Sequence, residues 1–412
     1  MAGFSIPLSG LAAASDSLDV IANNLANLNT DGYKDENVTF AGVFNQIQGT
    51  SGNGDPIQIG NGVQTEGTVS NFSDGNVNST GIASNMALQG NGFFIVKGNN
   101  ATEYTRDGDF TVNAQGQLTT QSGQLVEGFP AVNGVIQTSS VLAPITVNQA
   151  STFPAAATTN FQMNVNLDST TAVGGTYSAP MTVYDSLGNA QDLTITFTNN
   201  GGNQWGYAVT IPSADVQGGV GTTTTLAAGN LTFNTAGQLT APAAPIALAA
   251  FTPADGAGAM NLNWNVDGTG GAPLLTQEAT ASATTSPTQD GYGAGTLTGY
   301  SILPDGTVQG TFSNNQTLAL GQVAIATFAN DEGLTQVGNN NFQASFASGI
   351  ANVGVAGVGG NGTITGGAVE ASNVNLSTEF ANMIVAQQGY EANAKVLTTL
   401  DQVSQATLQV IS

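Results

Sequence analysis

The sequence predicts a mixed, mainly β protein in which the N- and C-terminal helices pair as a coiled-coil-like terminal domain, with two nested β-rich domains between them. Three observations support this fold class. Glycine supplies 54 of 412 residues while charged residues make up only 8%, a composition typical of turn-rich β-structure. Apolar residues recur every seven positions near both ends, as in paired helices. In the centre, apolar and polar residues alternate, as in strands with one buried face.

The N-terminal helix is predicted from apolar residues that form one a/d seam. Two series with a spacing of seven make up this seam: Leu11, Leu18 and Leu25, together with Ala14, Ile21 and Leu28. Ser5 is predicted as the N-cap, with Pro7 in the first turn. Gly32 is predicted to stop the helix.

The C-terminal helix shows the same spacing with more interruptions. Its seam consists of Met383, Tyr390 and Leu397, with Phe380, Ala394 and Leu408 at companion positions. We expect Phe380, Met383, Tyr390 and Leu397 to face the N-terminal seam. An ordinary amphipathic face packed on a core is the alternative explanation of both stripes.

Low charge on the terminal helices argues for further partners. Residues 1–15, 20–30, 380–390 and 402–412 carry no charged side chain. Small neutral polar groups suit close contact with other helices, where a charge would be stranded. Because one chain offers only two such helices, we expect the other neighbours to come from further copies, and the terminal helices to become ordered on assembly.

Composition shifts along the chain suggest a nested domain order. The terminal helical polymerisation domain is predicted at 1–30 and 370–412, and a glycine-containing linker region at 31–70. An inner β domain is predicted at 71–145 and 285–369. An inserted outer β domain is predicted at 146–284, bounded by Thr- and Ala-rich crossings.

Strand signals are clearest in the middle of the chain. Leu193, Ile195 and Phe197 alternate with threonines, and a series from Trp205 to Ile211 follows a turn, which predicts two adjacent strands. Asp107 and Gly108 predict a hairpin turn. The pattern Asn-x-x-Gly-Gln-Leu occurs at 113–118 and again at 234–239, which predicts the same turn chemistry at both places.

Composition also excludes several classes of function. The chain has no Cys, no His and only four basic residues against 27 acidic ones, a net charge of −23. Such a chain lacks the basic surface that nucleic acid requires. Thiolate and imidazole chemistry is unavailable, so we expect no catalytic residues, no metal site and no cofactor. The segment MAGFSIPLSG lacks the basic region of a secretory signal, and no apolar run is long enough for membrane insertion.

Four segments in order resemble the axial proteins of the bacterial flagellum, the rod and hook family. ANNLANLNTDGYK (22–34) is similar to the N-terminal signature of that family, and residues 87–118 resemble its β-rich core segment. MTVYDSLGNAQDLTITF (181–197) resembles the inserted domain typical of its hook members, and residues 369–403 resemble its C-terminal helix. The positions that carry the N-terminal signature are Ala22, Asn23, Asn24, Asn27, Asn29, Thr30, Gly32 and Tyr33.

The resemblance implies a structural subunit that self-assembles into the tubular hook, a flexible universal joint that transmits motor torque to the filament. It further implies the distal rod below, hook–filament junction proteins above, and the hook cap and flagellar export apparatus during assembly. The implied location is extracellular, in the basal body and hook, after export without a cleaved signal peptide. The large insertion favours a hook subunit over a distal rod subunit of the same family.

Two other classes of function remain alternatives at this point. Trp205, Tyr207 and Trp264 are aromatic residues that a secreted β-rich adhesin could use for stacking, although alternation with Val209 and Ile211 favours a buried face. Paired carboxylates, Asp107 with Asp109 or Asp185 with Asp192, are the pattern of an acid–base enzyme. Their Asp-Gly and Ser-Leu-Gly-Asn settings are more typical of turns. A calcium site at 185–192 lacks EF-hand spacing.

Overall fold

Two long α-helices frame a chain built mainly of strands, with short 3-10 helices at Ser213–Asp215 and Asp331–Gly333. The structure is a computed structural model that describes residues 4–44, 46–50, 56–98, 101–148, 151–268 and 273–411. Helix α1 spans Ser5–Ala26 and helix α2 spans Leu376–Ile411. The predicted mainly β fold with terminal helices is confirmed.

The strands follow in three groups along the chain. After α1 come β1 (Glu36–Gly42), β2 (Gln46–Thr50), β3 (Pro56–Ile59), β4 (Val63–Ser70), β5 (Val77–Ser79), β6 (Met86–Gln89), β7 (Phe93–Lys97), β8 (Thr102–Thr105), β9 (Phe110–Val112), β10 (Leu118–Thr120), β11 (Leu125–Val132), β12 (Val135–Ile136) and β13 (Ala143–Pro144). The middle group is β14 (Thr152–Phe153), β15 (Asn160–Asp168), β16 (Thr176–Tyr184), β17 (Ala190–Gly201), β18 (Gln204–Pro212), β19 (Thr223–Phe233), β20 (Leu239–Ala241), β21 (Ile246–Ala247), β22 (Asn263–Asn265), β23 (Leu275–Glu278) and β24 (Ala283–Gln289). The last group is β25 (Gly295–Ile302), β26 (Thr307–Phe312), β27 (Thr317–Thr327), β28 (Thr335–Gly338), β29 (Asn341–Gln343), β30 (Asn352–Val355), β31 (Thr363–Gly366) and β32 (Ala368–Glu370).

The chain divides into two compact units. Unit 1 comprises Met1–Asn148, Gly299–Gly310 and Leu318–Ser412, and unit 2 comprises Gln149–Thr298 and Thr311–Thr317. The finer division expected from the sequence, at 1–30, 31–70, 71–145, 146–284, 285–369 and 370–412, stays a prediction. Within the segment 31–70, expected to be a linker, β1 pairs antiparallel with β4 and β2 pairs with β3.

Unit 1 is built around an antiparallel sheet. Its strands lie in the order β27-β11-β7-β8-β29-β28. A core of aromatic and small apolar residues packs against it, including Phe93, Phe129 and Phe342. The expected strand at 93–97 is therefore present, and its four buried residues from Phe93 to Val96 explain the uninterrupted apolar run.

Unit 2 contains two sheets that share one core. One has the order β21-β22-β15-β23, with β24 also paired to β15, and the other has the order β16-β17-β18-β19-β20. The alternation predicted for β17 and β18 is confirmed, since Leu193, Ile195, Phe197, Trp205, Val209 and Ile211 are buried in this core. Trp205 and Trp264 are fully buried, and Tyr207 is half-buried with its ring against Trp264. These three residues therefore do not form the exposed stacking surface that an adhesin would need.

The hairpin predicted at Asp107 and Gly108 was wrong. Strand β8 pairs with β7 and β29, whereas β9 pairs with β10. Tertiary contact overrides the local turn preference, because the Gly108 backbone lies against β6. A Cβ atom at Gly108 would lie 1.5 Å from the Met86 carbonyl oxygen, and the Met86 N–H donates to the Gly108 carbonyl oxygen at 3.0 Å.

The predicted limits of α1 also need correction. Ser5 is the first helical residue and not the cap; Phe4 precedes it, without a capping side-chain hydrogen bond. The helix ends at Ala26, well before Gly32. The Asn27 N–H still donates to the Asn23 carbonyl oxygen, but the N–H groups of Leu28 and Thr30 donate to carbonyl oxygens only three residues back, so the chain continues as tight turns. At α2, the Asn375 side-chain oxygen accepts from the N–H groups of Ser377 and Thr378 at 3.0 and 3.3 Å, which is N-cap geometry.

Candidate functional site: the paired terminal helices

Helices α1 and α2 run antiparallel in unit 1. Asn24 Nδ2 donates to Glu379 Oε2 at 3.4 Å, and a Cβ atom on Gly10 would lie 2.7 Å from the Asn393 side chain. Fourteen residues separate the two contact points on each helix, so the register is constant between them. Gly10 is therefore a point where the Asn393 side chain packs directly against the α1 backbone, and a larger residue would require that side chain to move.

The structure places the predicted seam residues at different depths. Ile21 is buried, and Leu11, Leu18, Leu25, Met383 and Leu397 are half-buried. Phe380, Tyr390 and Leu408 are exposed, by 50, 44 and 66%. Leu28 lies beyond the end of α1, because the asparagine-rich turn bends the chain away. The facing of individual seam residues across the two helices stays a prediction.

Helix α2 extends well past its partner. In the observed register Ser5, where α1 starts, lies level with Thr398. Residues 399–411 therefore have no α1 residue beside them, a length of about 20 Å at 1.5 Å per residue. Side chains 401–409 are all exposed. Further apolar side chains on α2 also face solvent: Leu376, Ile384, Val385, Val396 and Val403.

A groove of about 300 Å³ lies where α1, β1 and α2 meet. Its apolar lining residues are Val20, Ile21, Val38, Val385 and Ala386. Glu36 and Glu379 are its charged lining residues, and no basic side chain lines it. The groove therefore offers a partly apolar recess on a face that already carries negative charge.

Asn24 joins the end of α1 to the start of β1. Its Nδ2 donates to the Glu36 carbonyl oxygen at 2.9 Å and its Oδ1 accepts from the Glu36 N–H at 3.0 Å. This amide thus acts as a strand partner for Glu36. The Tyr33 hydroxyl also donates to Asn24 Oδ1, at 3.1 Å. Asn24 is almost fully buried inside its own chain, so its role is intramolecular, contrary to the expectation that these amides meet other copies.

The other asparagines of the motif shape the turn after α1. Asn27 Nδ2 donates to the Asn23 carbonyl oxygen at 3.0 Å, and the Thr30 hydroxyl donates to Asn27 Oδ1 at 3.1 Å. Asn23 Nδ2 donates to the Tyr33 hydroxyl at 3.2 Å. Side-chain bonds of this kind compete with helical ones and end the helix. The remaining motif residues Ala22 and Asn29 are exposed.

Only glycine fits at position 32 without strain or a steric clash. Its φ is +69°, and a Cβ atom there would lie 2.4 Å from the Asp107 backbone nitrogen. The Gly32 N–H donates to the Glu370 carbonyl oxygen at 2.7 Å. Beside it, burial, reinforced by the charges of Glu36 and Asp35, raises the pKa of Tyr33 to about 12. The turn therefore ties the N-terminal segment to the β core and to the approach to α2.

Two of the four basic residues meet on one buried carboxylate. Lys34 Nζ lies 2.6 Å from Glu370 Oε1, and Arg106 Nη1 lies 3.4 Å from Glu370 Oε2. All three side chains are at most 3% exposed. Burial lowers the pKa of Lys34, although the charge of Glu370 opposes that shift. We call Lys34, Arg106 and Glu370 the buried ion cluster.

The buried ion cluster joins distant parts of unit 1. Lys34 Nζ also donates to the Ser73 carbonyl oxygen at 2.7 Å, and the Gly75 N–H donates to Glu370 Oε1 at 2.8 Å. Arg106 Nη2 donates to the Gly90 carbonyl oxygen at 2.7 Å. Sequence reasoning missed this cluster. The sequence did contain a signal that could have revealed the cluster. The chain has only four basic residues, and two of them, Lys34 and Arg106, lie inside the motif segments 22–34 and 87–118.

Neighbouring carboxyl groups lie on the turn that contacts Gly32. Burial, reinforced by the charges of Asp109 and Asp31, raises the pKa of Asp107 to about 6. Burial and the charge of Asp109 also raise the pKa of Asp31. Asp107 Oδ1 accepts from the Asp109 N–H at 2.9 Å. The Asp107 carboxylate therefore stabilises a local turn by accepting from the Asp109 backbone.

The second carboxylate pair considered from the sequence is also used locally. Asp185 Oδ1 accepts from the N–H groups of Leu187 and Asn189 at 2.9 and 3.0 Å, and Asp185 Oδ2 accepts from Gln191 Nε2 at 2.9 Å. Asp192 accepts from the Thr182 hydroxyl at 2.8 Å. Across the described residues, no group of three or more acidic side chains is placed to hold a metal ion.

In the described part of the chain, no helix combines the length and the apolar character needed to cross a bilayer.

Three known family descriptions match separate parts of the chain. "Flagella basal body rod protein" matches residues 6–34, which include α1 and the motif turn. "Flagellar basal body protein FlaE D2 domain" matches residues 156–292, within unit 2. "Flagellar basal body rod FlgEFG protein C-terminal" matches residues 365–410, which contain Glu370 and α2.

Similar proteins extend over nearly the whole chain. Flagellar hook protein FlgE of Escherichia coli (strain K12) is 37% identical over 416 residues, 97% of this chain and 98% of that protein. Flagellar hook protein FlgE of Treponema pallidum (strain Nichols) is 32% identical over 446 residues, 96% of each chain. A solved structure, Helicobacter pylori flagellar hook protein FlgE2, covers 71% of this chain and 100% of its own with a TM-score of 0.48 and 15% identity, too distant to add to the argument. The near-complete matches show that this chain belongs to the flagellar hook protein FlgE family.

Proposed function

We propose that this chain is the structural subunit of a flagellar hook, and that copies of it assemble into a tube that acts as a flexible joint between motor and filament. The main observation behind the proposal is that residues 399–411 of α2 extend past α1 and have no partner helix in the described chain. A helix with an apolar face needs a partner to be stable in water. Residues 399–411 lie beyond α1, and the exposed apolar residues of α2 continue along its length. Other copies of the same helices supply these partners.

The charge distribution supports different contacts in the two units. All four basic residues, Lys34, Lys97, Arg106 and Lys395, lie in unit 1. Unit 2 therefore cannot form ion pairs with unit 2 of another copy. Its contacts with other copies are neutral and polar, which suits surfaces that rearrange as a rotating tube bends. We propose that the helices hold the tube together and that unit 2 forms its outer, sliding contacts.

We propose the following surroundings for the tube, as the resemblance to the rod and hook family implies. The chain joins the distal rod at one end and the hook–filament junction proteins at the other, and the hook cap and the flagellar export apparatus assist its assembly. It works outside the cell, in the flagellar hook, and it catalyses no reaction. A distal rod subunit of the same family is the second candidate, but hook proteins are the relatives named over 96–98% of this chain's length.

Electron microscopy of assemblies from full-length protein tests the proposal. Val403 lies on the part of α2 beyond α1 and is 57% exposed. Val403→Asp should abolish tubes without unfolding the monomer, because a charge would be buried only in the assembly. Val220 is 88% exposed in unit 2, so Val220→Asp is the matched control and should form tubes. Tubes of normal length from Val403→Asp would contradict the proposed role of α2.

A further inference from the structure

A loop of unit 1 holds two large apolar side chains entirely in solvent. Phe346 and Ile350 are 106 and 91% exposed, whereas Ser348 between them is fully buried. The loop sequence from 344 to 351, ASFASGIA, carries no charge. Single exposed apolar residues are common on protein surfaces, but this loop is also held in a fixed conformation.

Hydrogen bonds of two serines fix the loop backbone. The Ser345 hydroxyl donates to the Gly333 carbonyl oxygen and accepts from the Ala347 N–H at 3.0 Å. The Ser348 hydroxyl accepts from the Ser345 N–H at 2.9 Å. Gly333 permits close contact, since a Cβ atom there would lie 2.5 Å from the Ala347 carbonyl carbon. Phe346 is thus presented on a preorganised backbone, which lowers the entropy lost on binding.

The groove between α1, β1 and α2 has the size and chemistry to receive this side chain. An apolar cavity of roughly 150 Å³ is enough for benzene, and the groove measures about 300 Å³. Val20, Val38 and Val385 line it, whereas Glu36 and Glu379 exclude a further acidic group. The groove therefore favours an occupant without negative charge that can pack on its valines, and Phe346 is the most exposed of the large apolar side chains among the described residues.

We propose that Phe346 of one copy inserts into the groove between α1, β1 and α2 of a second copy. The proposal rests on the proposed function, because it requires that copies of the chain assemble. Loop and groove are different surfaces of the same unit, so the contact is heterologous and leaves each copy with a free loop and a free groove. Contacts of this kind propagate into open helical assemblies, the form of a tube. An aromatic anchor in a recess is also the usual centre of a strong interface.

The absence of cysteine from the chain allows a clean cross-linking test. Asn382 is an exposed residue that lines the groove. The full-length variant Phe346→Cys/Asn382→Cys, expressed in the source bacterium, should yield isolated tubes that form a ladder of covalent multimers on mild oxidation. Disulfide formation needs Cβ atoms about 3.5–4.5 Å apart. The control Val141→Cys/Asn382→Cys replaces another exposed apolar residue of unit 1 and should remain monomeric on non-reducing gels.

The outcomes separate the contact from the proposed function. A ladder from the Phe346 pair alone supports the contact. Tubes that give no ladder, or equal ladders from both pairs, overturn the contact while leaving the hook proposal intact. Failure of the unmodified chain to form tubes in the same cells would overturn both.

A second measurement uses truncation and does not depend on disulfide geometry. Phe346→Ala should raise the protein concentration needed for polymerisation several-fold and leave monomer unfolding unchanged, since the side chain touches solvent only. Phe44 is 95% exposed, so Phe44→Ala is the matched control and should polymerise as the unmodified chain does. Equal polymerisation by both variants would contradict the proposed contact.

Discussion

Removal of the Glu370 charge should destabilise unit 1 more than any comparable change at its surface. Glu370→Gln keeps the shape of the side chain but leaves Lys34 as a buried cation without a paired carboxylate. Arg106 then keeps only Asp74, at 3.3 Å, whose side chain is 45% exposed. Lys34 Nζ retains the Ser73 carbonyl oxygen at 2.7 Å, and Arg106 Nη2 retains the Gly90 carbonyl oxygen at 2.7 Å. These neutral acceptors do not compensate for a full charge.

The expected cost follows from burial. Breaking a buried ion pair by removing one partner costs about 3–5 kcal/mol. Because glutamine can still accept one hydrogen bond, we expect about 3 kcal/mol for Glu370→Gln. The control is Glu127→Gln, since Glu127 pairs with Lys97 at 3.2 Å and Lys97 is 55% exposed. Water solvates the cation that remains, so the control should lose less than about 1 kcal/mol.

Amide hydrogen exchange in β7 reports on unit 1, while tryptophan fluorescence reports on unit 2, where Trp205 and Trp264 lie. A loss of about 3 kcal/mol lowers protection in β7 about 100-fold. Urea unfolding followed by tryptophan fluorescence should stay unchanged in both variants. Equal protection in Glu370→Gln and Glu127→Gln would refute the argument that the buried ion cluster holds unit 1 together.

Further expectations concern the motif turn, pH, the helix seam and salt. Gly32→Ala should lower the unfolding temperature more than Gly81→Ala. Both glycines have φ near +70°, but only a Cβ atom at Gly32 would meet backbone, 2.4 Å away. Equal shifts in unfolding temperature would show that backbone strain at positive φ, and not the close contact, is the cause. The pKa of Asp107, raised from 3.8 to about 6, means that the folded chain holds a proton that the unfolded chain releases. Urea titrations at several pH values, followed by amide exchange in β7, should therefore show unit 1 losing up to about 3 kcal/mol as pH rises from about 4 to 6, and Asp107→Asn should abolish that slope. Leu18→Asp should prevent tube formation, because a charge in the helix seam costs several kcal/mol; normal tubes would contradict the seam. Polymerisation measured by pelleting should be easier at moderate than at very low ionic strength, since subunits at −23 repel one another; no salt dependence would remove this argument.

Several parts of the fold were predictable because their causes are local. The two Asn-x-x-Gly-Gln-Leu segments form the same turn in different units. Asn113 Oδ1 accepts from the Gln115 and Gln117 N–H groups, and Asn234 Oδ1 accepts from the Ala236 and Gln238 N–H groups, all at 2.9 Å. The strand alternation in unit 2 and the helical periodicity at both ends were predictable for the same reason, since each depends on residues a few positions apart.

The candidate site was predictable only in part. Periodicity located the helices but could not say that Phe380, Tyr390 and Leu408 would face solvent in the single chain. That depends on the register with α1, which the close approach at Gly10 and the Asn24–Glu379 hydrogen bond define. The asparagines of the motif gave a clear sequence signal, yet their partners at Glu36 and Tyr33 depended on how the chain turned back.

By itself, the sequence determined that this protein is a mainly β chain between two amphipathic helices with long uncharged stretches, because composition and short-range spacing dictate those features. Only the tertiary structure decided that Lys34, Arg106 and Glu370 form one buried ion cluster. Lys34 and Glu370 are 336 residues apart, and no local pattern encodes a pairing at that separation. Burial of three charges depends on every strand packed around them, so its physical basis exists only in the folded unit.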